Sequence, residues 1–222
     1  MKADRIAEQI KNISDILPCG VTLIAVSKYH PAEAIMQAYE AGQREFGESK
    51  AQDLVKKHDV LPADIKWHFI GHLQSNKIKY IAPFVYLIHS IDSYKLLQEV
   101  NRHGEKHCRK IGCLLQIHIA QEETKFGFTP EECMAMLADG EWRTLENVEI
   151  RGVMCMASNT DDTKQIEEEF ATVQKLFNEI KETYFADNER FNIISAGMSD
   201  DYPIAIEHGS THIRVGTSIF CC

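Results

Sequence analysis

The chain is short of positive charge. Its 222 residues include 24 lysines and arginines against 33 aspartates and glutamates, which gives a formal net charge of −9. This balance argues against a nucleic-acid-binding module or a polybasic membrane surface, because both usually present a basic stripe. An anionic cofactor is still an acceptable ligand, since a local pocket can be positive on an acidic protein. We therefore expect no nucleic-acid partner and no membrane partner.

Long apolar runs and paired cysteine motifs are also missing. The segment 1–17 has no apolar stretch typical of a signal peptide, and no segment approaches the length of a membrane span. The seven cysteines are an odd number and include no CxxC pair. Such cysteine usage is typical of reduced thiols, and so we expect a cytoplasmic protein.

No spacing in the sequence favours a metal site. His68 and His72 are four residues apart, but they span the end of a predicted strand, so they do not share one face. His103, His107 and Cys108 lie at the end of a polar helix, where adventitious binding is the most that we expect. We predict no bound metal.

The chain also lacks a GxGxxG motif and a linker. Eight strand-like segments alternate with helix-like ones, at residues 21–26, 44–47, 65–70, 85–90, 113–120, 148–156, 191–195 and 212–216. This alternation predicts an α/β fold with a single domain over residues 1–222, a closed (β/α)8 TIM barrel. The alternative is an open Rossmann-like sheet, which the missing glycine motif disfavours.

Lys28 directly follows the most apolar predicted strand. At that position partial burial would lower the pKa of the amine and favour its nucleophilic form. The simpler interpretation is a lysine that extends to solvent at a strand end. Position alone favours the simpler interpretation.

A phosphate cradle is predicted after the last two strands. Gly216 and Thr217 lie at the end of the eighth strand, and the segment 195–200 supplies a glycine and two serines at the end of the seventh. Barrel enzymes often hold phosphate with the loops after strands seven and eight. These residues could also be ordinary turn residues.

Arg214 lies within a predicted strand, between Ile213 and Val215. An arginine that points into a barrel needs an acceptor. The acceptor is either a core carboxylate or a ligand ring nitrogen.

Six motifs together resemble the pyridoxal phosphate homeostasis protein family, which is similar to the N-terminal barrel of alanine racemase. In order, they are AVSKYHP, FGESKAQDL, WHFIGHLQSNK, IHSIDS, EETKFGF and SAGMSDDYPIAIEHGSTHIRVGTSIF. The resemblance runs over nearly the whole chain. It implies that pyridoxal 5'-phosphate (PLP) is held as a Schiff base on Lys28. It also implies that Ser199, Gly216 and Thr217 hold the phosphate and that Arg214 faces the pyridine nitrogen.

Ser49 is a departure from the family pattern. The family usually has asparagine after the glutamate of the second motif, whereas this chain has FGES. A serine hydroxyl can also reach a phosphate, so we keep Ser49 in the predicted cofactor site.

A choice between enzyme and carrier follows from the chemistry of Arg214. A guanidinium beside the pyridine nitrogen disfavours protonation of that nitrogen, which makes the cofactor a poorer electron sink. Alanine racemase works with this arrangement, but a second domain and a partner subunit supply its tyrosine base. Here Lys125 is the only substitute that we can name.

We therefore expect a monomeric, non-catalytic PLP binder that serves vitamin B6 homeostasis and can transfer PLP to apo-enzymes. The alternative is a PLP-dependent enzyme, a weak racemase or a lyase that acts on small amino acids. A third interpretation is a barrel with a vestigial site.

Overall fold

Eight parallel strands form a closed barrel. The computed structural model describes residues 2–119 and 126–220, with the side chains of residues 2–4 left out. The strands are β1 (Thr22–Val26), β2 (Glu45–Glu48), β3 (Lys66–Phe69), β4 (Leu87–Ile91), β5 (Ile111–Ile117), β6 (Val148–Cys155), β7 (Ile193–Ser195) and β8 (His212–Val215). Each strand pairs in parallel with the next, and β1 pairs with β8. The predicted (β/α)8 barrel is thereby confirmed.

Helices cover the outside of the barrel. Within the described residues they are α1 (Lys2–Ile16), α2 (Ala32–Glu40), α3 (Ala51–His58), α4 (Ile78–Ile81), α5 (Tyr94–Lys106), α6 (Pro130–Asp139), α7 (Thr163–Tyr184), α8 (Tyr202–Glu207) and α9 (Thr217–Phe220). Short 3₁₀ helices at Ser75–Lys77 and Glu141–Thr144 complete the set. No helix of the described chain combines the length and the apolar character needed to cross a membrane.

Local sequence explains where individual helices begin. At α6, the Thr129 side chain accepts a hydrogen bond from the Glu132 amide, and the Glu132 carboxylate accepts one from the Thr129 amide. This capping box, with Pro130 at the first helical position, satisfies amides that the helix itself leaves unpaired. In α7, Phe170, Val173 and Ile180 are buried along one face, because they recur at helical spacing.

The hydrophobic core lies mainly between the barrel wall and the helices. Outward-facing strand residues such as Ile88, Leu115 and Val153 are buried there against the helices. Inside the barrel, Leu87, Leu114, Met154 and Ile193 form a second, smaller apolar cluster. The rest of the interior is markedly polar, and that polarity determines the candidate site.

Glycine allows one close approach within the wall. A Cβ on Gly152 would lie 1.8 Å from the Ile193 carbonyl oxygen, and the Gly152 φ of +150° is unfavourable for other residues. The register between β5 and β6 shifts just before Gly152. Glycine at this position therefore lets β6 pass close to β7.

Candidate functional site

Five of the six predicted cofactor residues lie at the carboxyl end of the barrel, where the parallel strands all end. Lys28 follows β1, Ser49 follows β2, Ser199 follows β7, and Gly216 and Thr217 follow β8. These four strands are consecutive in the barrel, in the order β7, β8, β1, β2. The structure thus places these residues in one part of the carboxyl-terminal face, which we call the rim sector.

Lys28 is exposed at the rim sector, as in the simpler interpretation of a lysine that extends to solvent at a strand end, and it is not partly buried. Ser27, the residue directly after β1, is fully buried, and the chain then turns at Tyr29, whose φ is +69°. A positive φ in a non-glycine residue is strained and is often found at functional sites. Tyr29 is 79% exposed, with the Nζ atoms of Lys28 and Lys50 5.9 Å and 5.7 Å from its ring centroid. The turn leaves the Lys28 amine accessible.

A buried ion pair contacts Ser27, the residue before Lys28. The carboxylate of Glu48, 1% exposed, accepts hydrogen bonds of 2.6 Å from both Lys57 Nζ and Ser27 Oγ. Lys57 also donates to the Ser27 carbonyl oxygen at 2.9 Å. These contacts tie the end of β1 to the end of β2 and so fix the backbone next to Lys28. Sequence analysis assigned no role to Glu48 or Lys57, because nothing in the sequence indicates that these two residues form an ion pair.

Ser49 is half-buried and lines a cavity of about 130 Å³ together with Phe69, His72 and Lys77. Its backbone packs tightly against Gly71, where a Cβ would lie 2.2 Å from the Ser49 carbonyl oxygen. The loops after β2 and β3 therefore meet at this point, and only glycine fits at position 71.

The segment after β7 is fixed by its own backbone and by β8. Gly197 has a φ of +92°, and its carbonyl oxygen accepts a hydrogen bond from the Arg214 amide. The Asp201 carboxylate accepts one from the Met198 amide, which closes the turn around half-buried Ser199. On β8, a Cβ on Gly216 would lie 3.0 Å from the Val26 carbonyl oxygen, so this strand end lies directly against β1.

Arg214 points into the barrel and is 5% exposed. Its Nη1 donates to the carbonyl oxygen and the hydroxyl of Ser195, both at 2.7 Å, and its Nη2 donates to the Cys155 carbonyl oxygen at 2.8 Å. Within the described residues no carboxylate pairs with it, so the core-carboxylate interpretation is not supported. Burial lowers the pKa of the Arg214 guanidinium.

Beyond Arg214, hydrogen bonds continue through the barrel to its opposite end. Ser195 Oγ lies 3.0 Å from His89 Nδ1, His89 Nε2 lies 2.9 Å from His68 Nδ1, and His68 Nε2 lies 3.0 Å from Glu45 Oε2. We call Arg214, Ser195, His89, His68 and Glu45 the interior chain. Sequence analysis counted Ser195 in the predicted phosphate cradle and rejected His68 as a metal ligand, and it assigned no role to His89 or Glu45. The available signal was a polar residue within an otherwise apolar strand.

Burial determines the protonation of these histidines. It lowers the pKa of His68, although Glu45 acts in the opposite direction, and it lowers that of His89 well below the usual value. Burial alone would raise the pKa of Glu45, but the hydrogen bonds from His68 and Lys66, together with the charge of Lys66, outweigh it and lower that pKa. At neutral pH the two histidines are therefore neutral and Glu45 is ionised.

Two further predictions concern metals and a second base. Nowhere in residues 2–119 and 126–220 do three or more His, Cys, Asp or Glu side chains gather in a metal-binding arrangement. His68 lies inside the barrel, whereas His72 lies outside it, stacked on Phe126 and paired with Asp92. Lys125, the candidate second base, falls outside the described residues.

A closed barrel with an accessible lysine after β1 and a buried arginine in β8 defines a protein of the alanine racemase N-terminal class. The family model described as "Alanine racemase, N-terminal domain" matches residues 1–222. An alanine racemase of Clostridium difficile has the same fold, with a TM-score of 0.80 at 14% identity over 97% of this chain and 59% of that one.

Curated relatives narrow the class to one family. The pyridoxal phosphate homeostasis protein of Helicobacter pylori is 39% identical over 206 residues, which cover 90% of this chain and 87% of the relative. That of Aquifex aeolicus is 32% identical over 225 residues, which cover 99% and 96%. The chain belongs to the pyridoxal phosphate homeostasis protein family.

A solved structure of PipY from Synechococcus elongatus agrees with this assignment. The form without PLP superposes with a TM-score of 0.91 at 36% identity, covering 97% of this chain and 99% of that one. PipY has also been solved with PLP bound, and that form gives a TM-score of 0.88.

Proposed function

We propose that this chain binds PLP through Lys28 and takes part in PLP homeostasis without catalysing a reaction. The observation that carries the proposal is the combination of an exposed amine at Lys28 with a buried guanidinium at Arg214, on the neighbouring strand, that pairs with no carboxylate of the described residues. The family membership and the PLP-bound PipY structure support the same ligand.

The donors of the rim sector, together with Arg214, suit the three functional groups of PLP. An exposed lysine amine suits the aldehyde, with which it forms a Schiff base. The phosphate needs hydroxyl and backbone N–H donors, which Ser49, Ser199, Gly216 and Thr217 would provide. The pyridine nitrogen is an acceptor and needs an N–H donor, which Arg214 would provide.

Arg214 retains donors for such a ligand. A guanidinium has five N–H groups, and the three hydrogen bonds described use at most three of them. At least two N–H groups are therefore without a partner among the described residues. Because the acceptors of Cys155 and Ser195 hold the guanidinium, these remaining donors have a fixed direction.

The non-catalytic role follows from what Arg214 does to a bound cofactor. Bound PLP supplies an electron sink, which is strongest when the pyridine nitrogen is protonated. A permanently cationic guanidinium disfavours that proton by charge repulsion and can only donate hydrogen bonds. A second base opposite Lys28 would be needed for racemisation, and Lys125, the candidate named for that role, falls outside the described residues. We propose a monomeric, cytoplasmic holder of PLP that can pass the cofactor to apo-enzymes.

The test is an absorbance titration of the purified protein with PLP, followed by borohydride reduction and peptide mapping. The wild type should give a Schiff-base band and a reduced adduct on Lys28, and Lys28→Ala should give neither. Lys50→Ala is the matched control, because Lys50 Nζ lies as close to the Tyr29 ring as Lys28 Nζ does. It should retain the band. An adduct spread over surface lysines would refute the site.

A turnover assay separates the carrier from the enzyme. D- and L-alanine are incubated with the PLP-loaded protein and analysed for racemisation or elimination. We expect no turnover above that of free PLP. Turnover that Lys28→Ala abolishes would instead establish a racemase or a lyase on small amino acids.

A further inference from the structure

The interior chain has defined chemical ends. Arg214 can only donate hydrogen bonds, and an ionised Glu45 carboxylate can only accept them. Between them lie Ser195, His89 and His68, each within 3.0 Å of the next member. Each neutral imidazole can donate once and accept once, and the Ser195 hydroxyl can donate once and accept up to twice. The two ends therefore restrict how the protons between them are arranged.

The proton positions follow one by one from the carboxylate. His68 Nε2 faces Glu45, so it carries the proton, and the neutral ring then presents Nδ1 as an acceptor. His89 Nε2 must donate to that acceptor, which leaves His89 Nδ1 without a proton. Ser195 must then donate to His89 Nδ1, while its oxygen accepts from Arg214. Every hydrogen bond points the same way.

We propose that the interior chain is a one-way file of hydrogen bonds, from Arg214 to Glu45, that orients the Arg214 guanidinium toward the rim sector. Ser195 and His89 are then positioning residues, since they act on Arg214. The orientation of Arg214 toward PLP rests on the proposed function. The direction of the file does not.

Two other arrangements satisfy the same distances, each with one doubly protonated imidazole. A doubly protonated His89 would donate to both His68 and Ser195. If His68 carried two protons, it would donate to both Glu45 and His89, and His89 would donate to Ser195. Ser195 Oγ would then accept from both Arg214 and His89, and its own proton would have no described acceptor. Either arrangement also places a second cation in the buried interior of the barrel, which a low-dielectric environment disfavours. The one-way file avoids both penalties.

The file explains why the Ser195 hydroxyl is a good acceptor for Arg214. The Ser195 hydroxyl hydrogen is donated to His89 Nδ1, so the lone pairs of Ser195 Oγ stay directed at Arg214 Nη1. Hydrogen bonds in a chain polarise one another, and the Glu45 carboxylate at the far end strengthens that effect. His89 is joined to Arg214 through the Ser195 hydroxyl, so a change at His89 should loosen the guanidinium.

The first test needs no PLP and no variant. Nitrogen NMR of ¹⁵N-histidine-labelled protein at neutral pH distinguishes protonated from unprotonated ring nitrogens. A scalar coupling across the N–H···N bond identifies His68 and His89, since that bond joins the two rings. We expect two neutral rings, both protonated at Nε2. A doubly protonated His68, or a proton on His89 Nδ1, would overturn the proposal.

The second test measures the guanidinium itself, with His89→Leu and His89→Gln compared. Glutamine keeps one donor and one acceptor at this position, whereas leucine interrupts the file. The Nη signals of Arg214 should stay separate in the wild type and His89→Gln but merge through faster rotation in His89→Leu. Equal behaviour of the two variants would contradict a positioning role. Ser195→Ala, which removes the next member, should reproduce the leucine result even if His89→Leu fails to fold.

PLP titration is the third readout. We expect His89→Leu to bind PLP about tenfold more weakly, the value of one hydrogen bond to a charged group, and His89→Gln to bind nearly as the wild type does. Equal affinities for leucine and glutamine would refute the link to the cofactor. If the wild type itself failed to bind PLP, the proposed function would fail while the NMR result on the file would stand.

Discussion

The buried pair of Glu48 and Lys57 offers the most demanding test of the site's architecture. We consider three variants, Glu48→Gln, Lys57→Met and the double variant, alongside the wild type. In the wild type the carboxylate is 1% exposed and the lysine side chain 11%, with 2.6 Å between Nζ and Oε1. Removing one charge leaves the other buried without its counter-ion. Removing both leaves no uncompensated charge.

The burial determines the expected magnitudes. Loss of one partner of a buried ion pair costs about 3–5 kcal/mol, because the remaining ion is still desolvated. Replacing both partners is often nearly neutral, so the double variant should lose about 1–2 kcal/mol, mainly from the hydrogen bonds of Ser27. In a chain of this size each kcal/mol lowers Tm by about 2–4 °C, so the single variants should melt about 10 °C lower.

Urea unfolding followed by circular dichroism gives the free energies, and the four proteins form a double-mutant cycle. We expect the double variant to be more stable than either single variant, with a coupling energy of several kcal/mol. Additive effects, or single variants that lose less than about 1 kcal/mol, would refute the interpretation that this pair fastens β1 to β2.

Two further predictions concern pH and backbone packing. Burial lowers the pKa of His212 to about 4. The unfolded chain takes up a proton on this histidine below about pH 6.5, whereas the folded protein does so only near pH 4. The free energy of unfolding therefore falls by about 3 kcal/mol in all as the pH drops from about 6.5 toward 4. Urea unfolding at pH 7.5 and pH 4.5 should show a smaller loss of stability for His212→Gln than for the wild type, and an equal loss would contradict this account. Gly152→Ala should prevent closure of the barrel, because the added Cβ would meet the Ile193 carbonyl oxygen. Circular dichroism and size-exclusion chromatography would show the loss of the folded form. Gly42→Ala is the control, since its φ of +101° is strained but no atom lies within 4 Å, and it should fold with a loss of about 1–3 kcal/mol.

Much of the barrel was predictable because its strands are apolar runs separated by helices. The predicted first strand, 21–26, differs from β1 by one residue, and the predicted sixth strand, 148–156, differs from β6 by one. The fifth begins two residues earlier than predicted, at Ile111. Ile111 follows a basic residue and precedes Gly112, so local composition gives little sign of a strand there. The Ile111 amide bonds to the Asn147 carbonyl oxygen, a partner distant in sequence.

The candidate site was less predictable, because its contacts join distant positions. Ser195 and His89 are 106 residues apart in the chain, and only closure of the barrel brings them together. The exposure of Lys28 depends on the left-handed turn at Tyr29, a residue type that does not usually adopt that conformation. Arg214 was predictable, because a charged residue between Ile213 and Val215 has to point into the barrel.

The pairing of β1 with β8 also limits how the protein can meet other macromolecules. An open sheet exposes a row of unpaired amides and carbonyls, to which a peptide can add as a further strand. A sheet that closes on itself has no such edge. A partner that receives a ligand from this barrel must therefore recognise loops, helices or side chains. Strand addition is not available to it.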